Sequence, residues 1–357
     1  MLKNTPNINS DFAPFVTVYM PAYNAVATIR EALDSILNQT YENFEIVVIN
    51  DGSTDDTSKI ISEYKRANKI TAIDHMTNKG IAATYNEIYD ICKSDFICIY
   101  HADDVYKPQI LEKSVAVLKG DKDIGICFSL SSGLQKHAPD NFRQSNSDIV
   151  IFNKQKLFLA LMKYYNFIVC PTACIRTSTI KSVNLKWGKI DLSPRLVQGD
   201  SGTDLQMWLD LASISNLAII NEPLINWRQH PDQMSRTTKK GLKTVSDFVN
   251  VIEYNIDNRY VQDIPIHAKE NFNLIKFKEI NIAALNAFLD FDEKSYLSNI
   301  SAAQIILGDM NYSYIFDGWA RKKIFKYVIF HYFLRGCYVF KHHRFMKNLK
   351  SKYFSEF

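Results

Sequence analysis

Residues 97 to 106 read ICIYHADDVY, an apolar run ending on His101, Ala102 and two adjacent carboxylates, Asp103 and Asp104. Two carboxylates at the end of a buried strand repel each other and are costly to desolvate unless a cation sits between them and a second anion. Hard oxygen ligands of this kind suit Mg²⁺ or Mn²⁺ shared with substrate phosphates. The spacing leaves a plainer reading open, in which Asp104 caps a helix after Tyr106 and Asp103 faces water. Two further polar clusters have a similar character, PAYN at 21–24 and NDGSTDDT at 50–57. Neither has the lysine and glycine spacing of a P-loop, and no G-x-G-x-x-G follows the first strand candidate, which weighs against a dehydrogenase-like phosphate site. Cys170 and Cys174 could be imagined as metal ligands, but no second pair stands at zinc-site spacing, so core thiols are expected.

These clusters need a scaffold that brings them to one edge. FVTVYM (Phe15 to Met20) and FEIVVIN (Phe44 to Asn50) read as strands, and AVATIREALDSILNQ (Ala25 to Gln39) has the three and four spacing of an amphipathic helix. A helix from about Asp55 to Ala67 follows, with Ser53 or Thr54 as its cap. ITAIDHM, IAATYNEIYDI, DFICIY, PQILEKSVAVL and IGICFSL continue the alternation. Strands rich in Ile, Val and Phe between helices predict an α/β fold with a mainly parallel sheet covered on both faces. Ligands of such sheets bind at the carboxyl ends of the strands, where all three polar clusters fall.

At 357 residues and 46% apolar, the chain can bury a large core, which excludes disorder and predicts one large domain with a smaller appendage. The first residues carry one Lys and no apolar run, unlike an export signal, so a cytoplasmic chain with reduced cysteines is expected. Charge is unevenly placed. From Gly318 to Phe357 there are ten Lys and Arg against Glu356 alone; removing these from the totals of 42 and 38 leaves 32 basic and 37 acidic residues. A mildly acidic body with a basic, aromatic tail predicts an anionic partner for residues 318–357. Its apolar part, Ile324 to Phe340, is short for a span and carries Lys326, His331 and Arg335, which argues against a transmembrane helix. The surface of an anionic membrane suits it, as does packing on the protein itself. No nucleic-acid-binding module accompanies the tail, so no nucleic-acid partner is expected.

The segment VTVYMPAYNAVATIREALDSILNQTYENFEIVVINDGSTDDT (Val16 to Thr57) resembles the start of glycosyltransferase family 2. The likeness continues through NKGIAATYN (Asn78 to Asn86), YHADD, GTDLQMWLDLA (Gly202 to Ala212) and WRQHPDQMS (Trp227 to Ser235), five motifs in order over about two-thirds of the chain. The resemblance implies a GT-A fold over residues 15–238, between a flexible N-terminus (1–14) and a helical C-terminal region (239–357). It implies inverting transfer of a sugar from a nucleotide-sugar, with a divalent cation, Mn²⁺ or Mg²⁺, on the diphosphate. Residue by residue, Tyr23 corresponds to the side chain that stacks on the base, with Pro21 and Ala22 beside it. Asp51 corresponds to the acceptor of a uracil ring N–H, which favours a UDP-sugar, although users of GDP-sugars share much of the pattern. Lys79, Gly80 and Ala102 belong to the same donor site. Asp103 corresponds to the metal-binding carboxylate, with His230 as a second group near metal or diphosphate. Asp204 corresponds to the catalytic base, with Trp208 as an acceptor wall one turn later; by its residues alone, Asp204 is an ordinary carboxylate at a helix N-terminus.

Two positions depart from the family pattern. His101 stands where the first acid of the metal motif is expected, and Tyr85 where an Arg often precedes the Asn. Diphosphate contacts then fall to Lys79 or Arg228, with Asp104 a further candidate for the acceptor or diphosphate. The implied role is addition of a sugar to a glycan or lipid-linked acceptor in bacterial surface polysaccharide synthesis, such as capsule or O-antigen, at the inner face of the plasma membrane. A nucleotide-sugar-binding module without turnover is the alternative.

Overall fold

The structure, a computed structural model, describes residues 13–132, 147–164, 166–183, 203–228, 247–259, 264–289 and 292–309. His230, Cys337 and the basic tail lie outside the described residues. The chain divides into two compact units: residues 1–157, 167–190 and 206–228 form the first, and residues 158–166, 191–205 and 229–357 the second.

The first unit is built on a mixed sheet with helices. Strands β1 (Val16–Ala22), β2 (Phe44–Asn50) and β3 (Thr71–Asp74) alternate with helices α1 (Ile29–Leu37), α2 (Thr57–Arg66) and α3 (Ile81–Ile91). There follow β4 (Phe96–Ile99), β5 (Val105–Tyr106), α4 (Ile110–Gly120), β6 (Ile124–Ser131), β7 (Ile149–Phe152) and α5 (Lys154–Tyr164). The remaining elements before residue 228 are β8 (Cys174–Arg176), α6 (Thr177–Val183), α7 (Thr203–Ala212) and β9 (Asn216–Asn226); residues 158–164 of α5 and 203–205 of α7 belong to the second unit.

In space the strands run β3-β2-β1-β4-β8-β6-β9-β5, with β7 on β9. The block β3-β2-β1-β4 is parallel throughout, as the Ile- and Val-rich runs predict. Its inner strands are buried along nearly their whole length rather than on alternate residues, which requires cover on both faces. On α1 the buried residues are Ile29, Ala32, Leu33 and Ile36, the stripe that the three and four spacing specifies. Beyond β4 the sheet becomes mixed: β8 is antiparallel to β4 and β6, while β6 and β9 are parallel.

Register matters most for the site. Ala22 pairs with Asn50 and Asn50 with Asp74, so the first three strands end level with one another. Tyr19 pairs with Ile99, which sets the end of β4 on the same edge.

One local expectation changes. Neither Ser53 nor Thr54 caps α2; Asp55 Oδ1 accepts the Thr57 N–H at 3.0 Å, and Asp55 Oδ2 accepts the Val26 N–H at 3.2 Å. The acid wins because it can serve the start of α2 and the loop between β1 and α1 together. Four of the described cysteines (Cys92, Cys98, Cys127 and Cys174) are buried free thiols, as expected of core residues, and Cys170 is only partly covered.

The second unit contains α8 (Asp247–Arg259), α9 (Ile266–Leu289) and α10 (Glu293–Asp309), with α9 packed on α10 and Lys276 of α9 paired with Glu253 of α8. Among the described residues, no helix is long and apolar enough to cross a membrane.

Candidate functional site

The level ends of β1, β2 and β3 put three turns side by side. Asp51 donates its backbone N–H to Ala22 O at 2.8 Å, and His75 donates its own to Asn50 O at 2.9 Å, each extending the sheet by one bond. Side chains then join the turns: Asn50 Nδ2 donates to Asp74 Oδ1 (3.0 Å), Ser53 N–H to Asn50 Oδ1 (3.2 Å) and Thr54 N–H to Asn24 Oδ1 (2.8 Å). Gly52 allows the chain to reverse here, with φ of +68°. A Cβ at Gly52 would lie 2.5 Å from the backbone carbon of Thr77 and 2.6 Å from the Asn78 nitrogen. Gly52→Ala is therefore expected to destabilise the fold by about 2–3 kcal/mol, read as a lower urea midpoint at an unchanged slope. A midpoint equal to the wild type's would show that this turn yields easily.

Asp51 is buried, at 5% exposure, and still collects donors on both oxygens. Lys79 N–H bonds Oδ1 and Gly80 N–H bonds Oδ2, each at 2.9 Å. Behind it, His75 Nδ1 lies 2.7 Å from Oδ1, and His75 Nε2 lies 2.8 Å from Glu87 Oε2. At the end of β1 Ala22 is buried and Pro21 partly covered, and on the turn that follows Tyr23 is 49% exposed, which leaves its ring available to stack on a flat ligand. The structure thus brings Pro21, Ala22, Tyr23, Asp51, Lys79 and Gly80 to one edge. His75 and Glu87 escaped sequence reasoning; a lone His just past a strand end and a Glu inside a helix, twelve residues apart, form no recognisable spacing.

The second cluster follows β4. Ligand atoms of His101, Asp103 and Asp104 all lie within 4.8 Å of one another. Asp104 caps no helix: its Oδ1 accepts the Arg228 backbone N–H at 2.9 Å, and α4 starts later, after Gln109. It is 1% exposed, and its Oδ2 has no hydrogen-bond partner among the described residues. Burial first, and then the charge of Asp103, push its carboxyl up to about 7 against the opposing pull of Arg228. A buried carboxylate oxygen without a partner, beside a second carboxylate and an imidazole, fits a hard or borderline divalent cation. His101 Nε2 is 2.9 Å from Tyr85 Oη, and its backbone N–H bonds Tyr106 Oη at 2.5 Å. Burial lowers the pKa of its imidazole, with Asp103 opposing, which favours the neutral ring a metal can use. Ala102 is buried between them.

Arg228 closes the cluster from the end of β9. Its Nε donates to Asp103 O at 3.0 Å and its Nη2 pairs with Glu31. Lys79 Nζ, by contrast, is 3.4 Å from Glu87 Oε2, on the Asp51 side. Of the two cations considered for a diphosphate, Arg228 is the one fixed to the carboxylate turn.

Residues 17–180 match the family model for glycosyl transferase family 2. An uncharacterized glycosyltransferase of Haemophilus influenzae is 30% identical over 226 residues, spanning 62% of this chain and 68% of that protein. The chain belongs to glycosyl transferase family 2. A second family relative, the hyaluronan synthase of Pasteurella multocida, is 27% identical over 239 residues, which are 67% of this chain but only 23% of the synthase. Among solved structures, TarS 1-349 of S. aureus in complex with UDP-GlcNAc superposes with a TM-score of 0.53 at 15% identity, over 81% of this chain and 90% of that one, a likeness that shows the GT-A fold.

Within this family 2 chain, the remaining site residues are placed as follows. The two departures from the family pattern, His101 and Tyr85, touch each other through the 2.9 Å bond already given. Asp204 lies in the first turn of α7, partly covered, with the Leu205 N–H on its Oδ1 at 2.7 Å, and it falls in the second unit. Trp208 is fully buried, with its ring edge-on to Phe128 at 5.0 Å.

Proposed function

We propose that this family 2 chain transfers a sugar, with inversion, from a UDP-sugar to a hydroxyl of a glycan or lipid-linked acceptor in bacterial surface polysaccharide synthesis. The observation that carries the reading is the shared strand edge: a buried acceptor, Asp51, beside an exposed ring, Tyr23, and a His–Asp–Asp cluster closed by Arg228. A nucleoside diphosphate needs this pairing, since its base must find an acceptor and a stacking face while its phosphates need positive charge. The complex of TarS with UDP-GlcNAc supports a UDP-linked donor, and the name of the hyaluronan synthase supports a glycan product.

Residues 15–238 would form the catalytic part, with Asp204 as base and His230 joining Asp103 at the diphosphate. Asp204 takes the proton of the acceptor hydroxyl as that oxygen attacks the anomeric carbon from the face opposite the leaving group. The bond to the nucleotide diphosphate breaks with its electron pair, and a single displacement inverts the centre. A divalent cation held by Asp103, Asp104 and His101 would supply Lewis-acid neutralisation of the departing diphosphate. Arg228, fixed on the Asp103 carbonyl, orients beside that charge. The helical region 239–357, through its basic tail, would bring the chain to the inner face of the plasma membrane, where a lipid-linked acceptor is presented.

Calorimetric titration with UDP, GDP and CMP, with and without Mn²⁺, tests the donor site. Micromolar UDP affinity that requires Mn²⁺ is the expected result. Metal-independent affinity for all three, or none for any, would refute it.

A further inference from the structure

The groups behind Asp51 carry a further step, which rests on the donor reading above. A carboxylate has about four lone-pair positions to fill. On Asp51, Oδ1 already faces two donors, His75 Nδ1 at 2.7 Å and Lys79 N–H at 2.9 Å, while Oδ2 faces one, Gly80 N–H at 2.9 Å. One acceptor position, on Oδ2, is left. His75 is 8% exposed, and its Nε2 points to Glu87 Oε2 at 2.8 Å, an oxygen that also has Lys79 Nζ at 3.4 Å. Backbone donors on both oxygens make Asp51 an acceptor, and the lysine does the same for Glu87. Both ring nitrogens of His75 therefore face carboxylate oxygens, and a hydrogen on each completes both bonds.

We propose that His75, held by Glu87, is a positioning residue that fixes Asp51 as an acceptor with one open position, and thereby makes the donor pocket select nucleobases with a ring N–H. Uracil and guanine present such an N–H. Cytosine presents a ring nitrogen that is itself an acceptor, and two acceptors facing each other lose the bond and leave a buried carboxylate unpaired. Without His75, Asp51 Oδ1 loses a donor and the buried carboxylate is held less firmly, which weakens its bond to a ring N–H and leaves cytosine, which makes no such bond, unaffected.

The test uses the full chain with Mn²⁺, and UDP and CDP as probes. Wild type is expected to bind UDP at least about tenfold tighter than CDP. In His75→Leu, UDP affinity is expected to fall about 10- to 100-fold while CDP stays within about twofold, collapsing the preference. His75→Asn, whose amide can still donate to Asp51, is expected to recover part of it. A second readout needs only the wild type: ¹⁵N spectra of the histidine rings at neutral pH, with the His75 signal assigned by its loss in His75→Asn, are expected to show hydrogen on both nitrogens. Equal losses for UDP and CDP in the variants, or a neutral His75 ring, overturn this proposal and leave the donor reading standing. Failure of the wild type to bind either nucleotide overturns both.

Discussion

Asp204→Asn is expected to lower sugar transfer by about 10²- to 10⁴-fold while leaving UDP affinity nearly unchanged. The substitution keeps size and shape and removes only the ability to take a proton. Stability should scarcely move, because the residue sits in the first turn of α7, where its Oδ1 accepts the Leu205 N–H. An amide oxygen can accept that bond too, and the favourable term between a carboxylate and the helix N-terminus that the substitution removes is about 0.3–1 kcal/mol. Rate and stability therefore separate two roles. A thermal midpoint that drops with an unchanged turnover would make Asp204 a helix-terminal carboxylate, and the base would lie elsewhere. If the wild type itself turned over no donor and acceptor pair, the chain would be a nucleotide-sugar-binding module.

Much of the sheet was legible because its strands are continuous apolar runs. Helix α3 spans Ile81–Ile91, the IAATYNEIYDI segment itself, and the turns after β1 and β2 stand where chain order and parallel pairing require. The short strands were not legible. Val105–Tyr106 is extended because it pairs with Asn226 and Ile225, and Cys174–Arg176 because it lies between β4 and β6; neither contact leaves a trace in local sequence. Site residues divide in the same way. Asp51 and Asp103 follow strand ends and could be found by position. The role of Asp104 depends on Arg228, 124 residues away, and His75 matters only through what folding places on its two nitrogens. Trp208 stands one turn after Asp204 as helical spacing requires, but that its ring is buried edge-on to Phe128 depends on a partner 80 residues away in sequence.

The second large effect joins stability to the metal at Asp104. Measured in EDTA, the wild type is expected to lose folding stability as pH rises from about 4 to about 7, because the Asp104 carboxyl is raised in the folded chain from its ordinary 3.8 to about 7. Between those values the folded state holds a proton that the unfolded chain has released. The contribution of this group is thus complete below the lower value and gone above the upper one. The shift corresponds to about 4 kcal/mol at most, and about 2–3 kcal/mol is expected after relaxation of the site. Asp104→Asn removes the titration; its amide oxygen can keep the Arg228 N–H, and its NH₂ group replaces an oxygen that lacks a described partner. Above pH 7 the variant should be the more stable protein in EDTA, by about 2 kcal/mol. Mn²⁺ reverses the order, since a cation that binds only the folded state stabilises it in proportion to the logarithm of its concentration over Kd. Wild type should gain stability with Mn²⁺, whereas Asp104→Asn and Asp103→Ala should gain little and lose the metal-dependent part of UDP affinity, about 10-fold or more. Parallel pH profiles for wild type and Asp104→Asn in EDTA would contradict the buried-carboxylate account. An undiminished Mn²⁺ response in Asp103→Ala would move the metal away from this turn, because a site that holds a cation without Asp103 cannot be the one its charge helps to build.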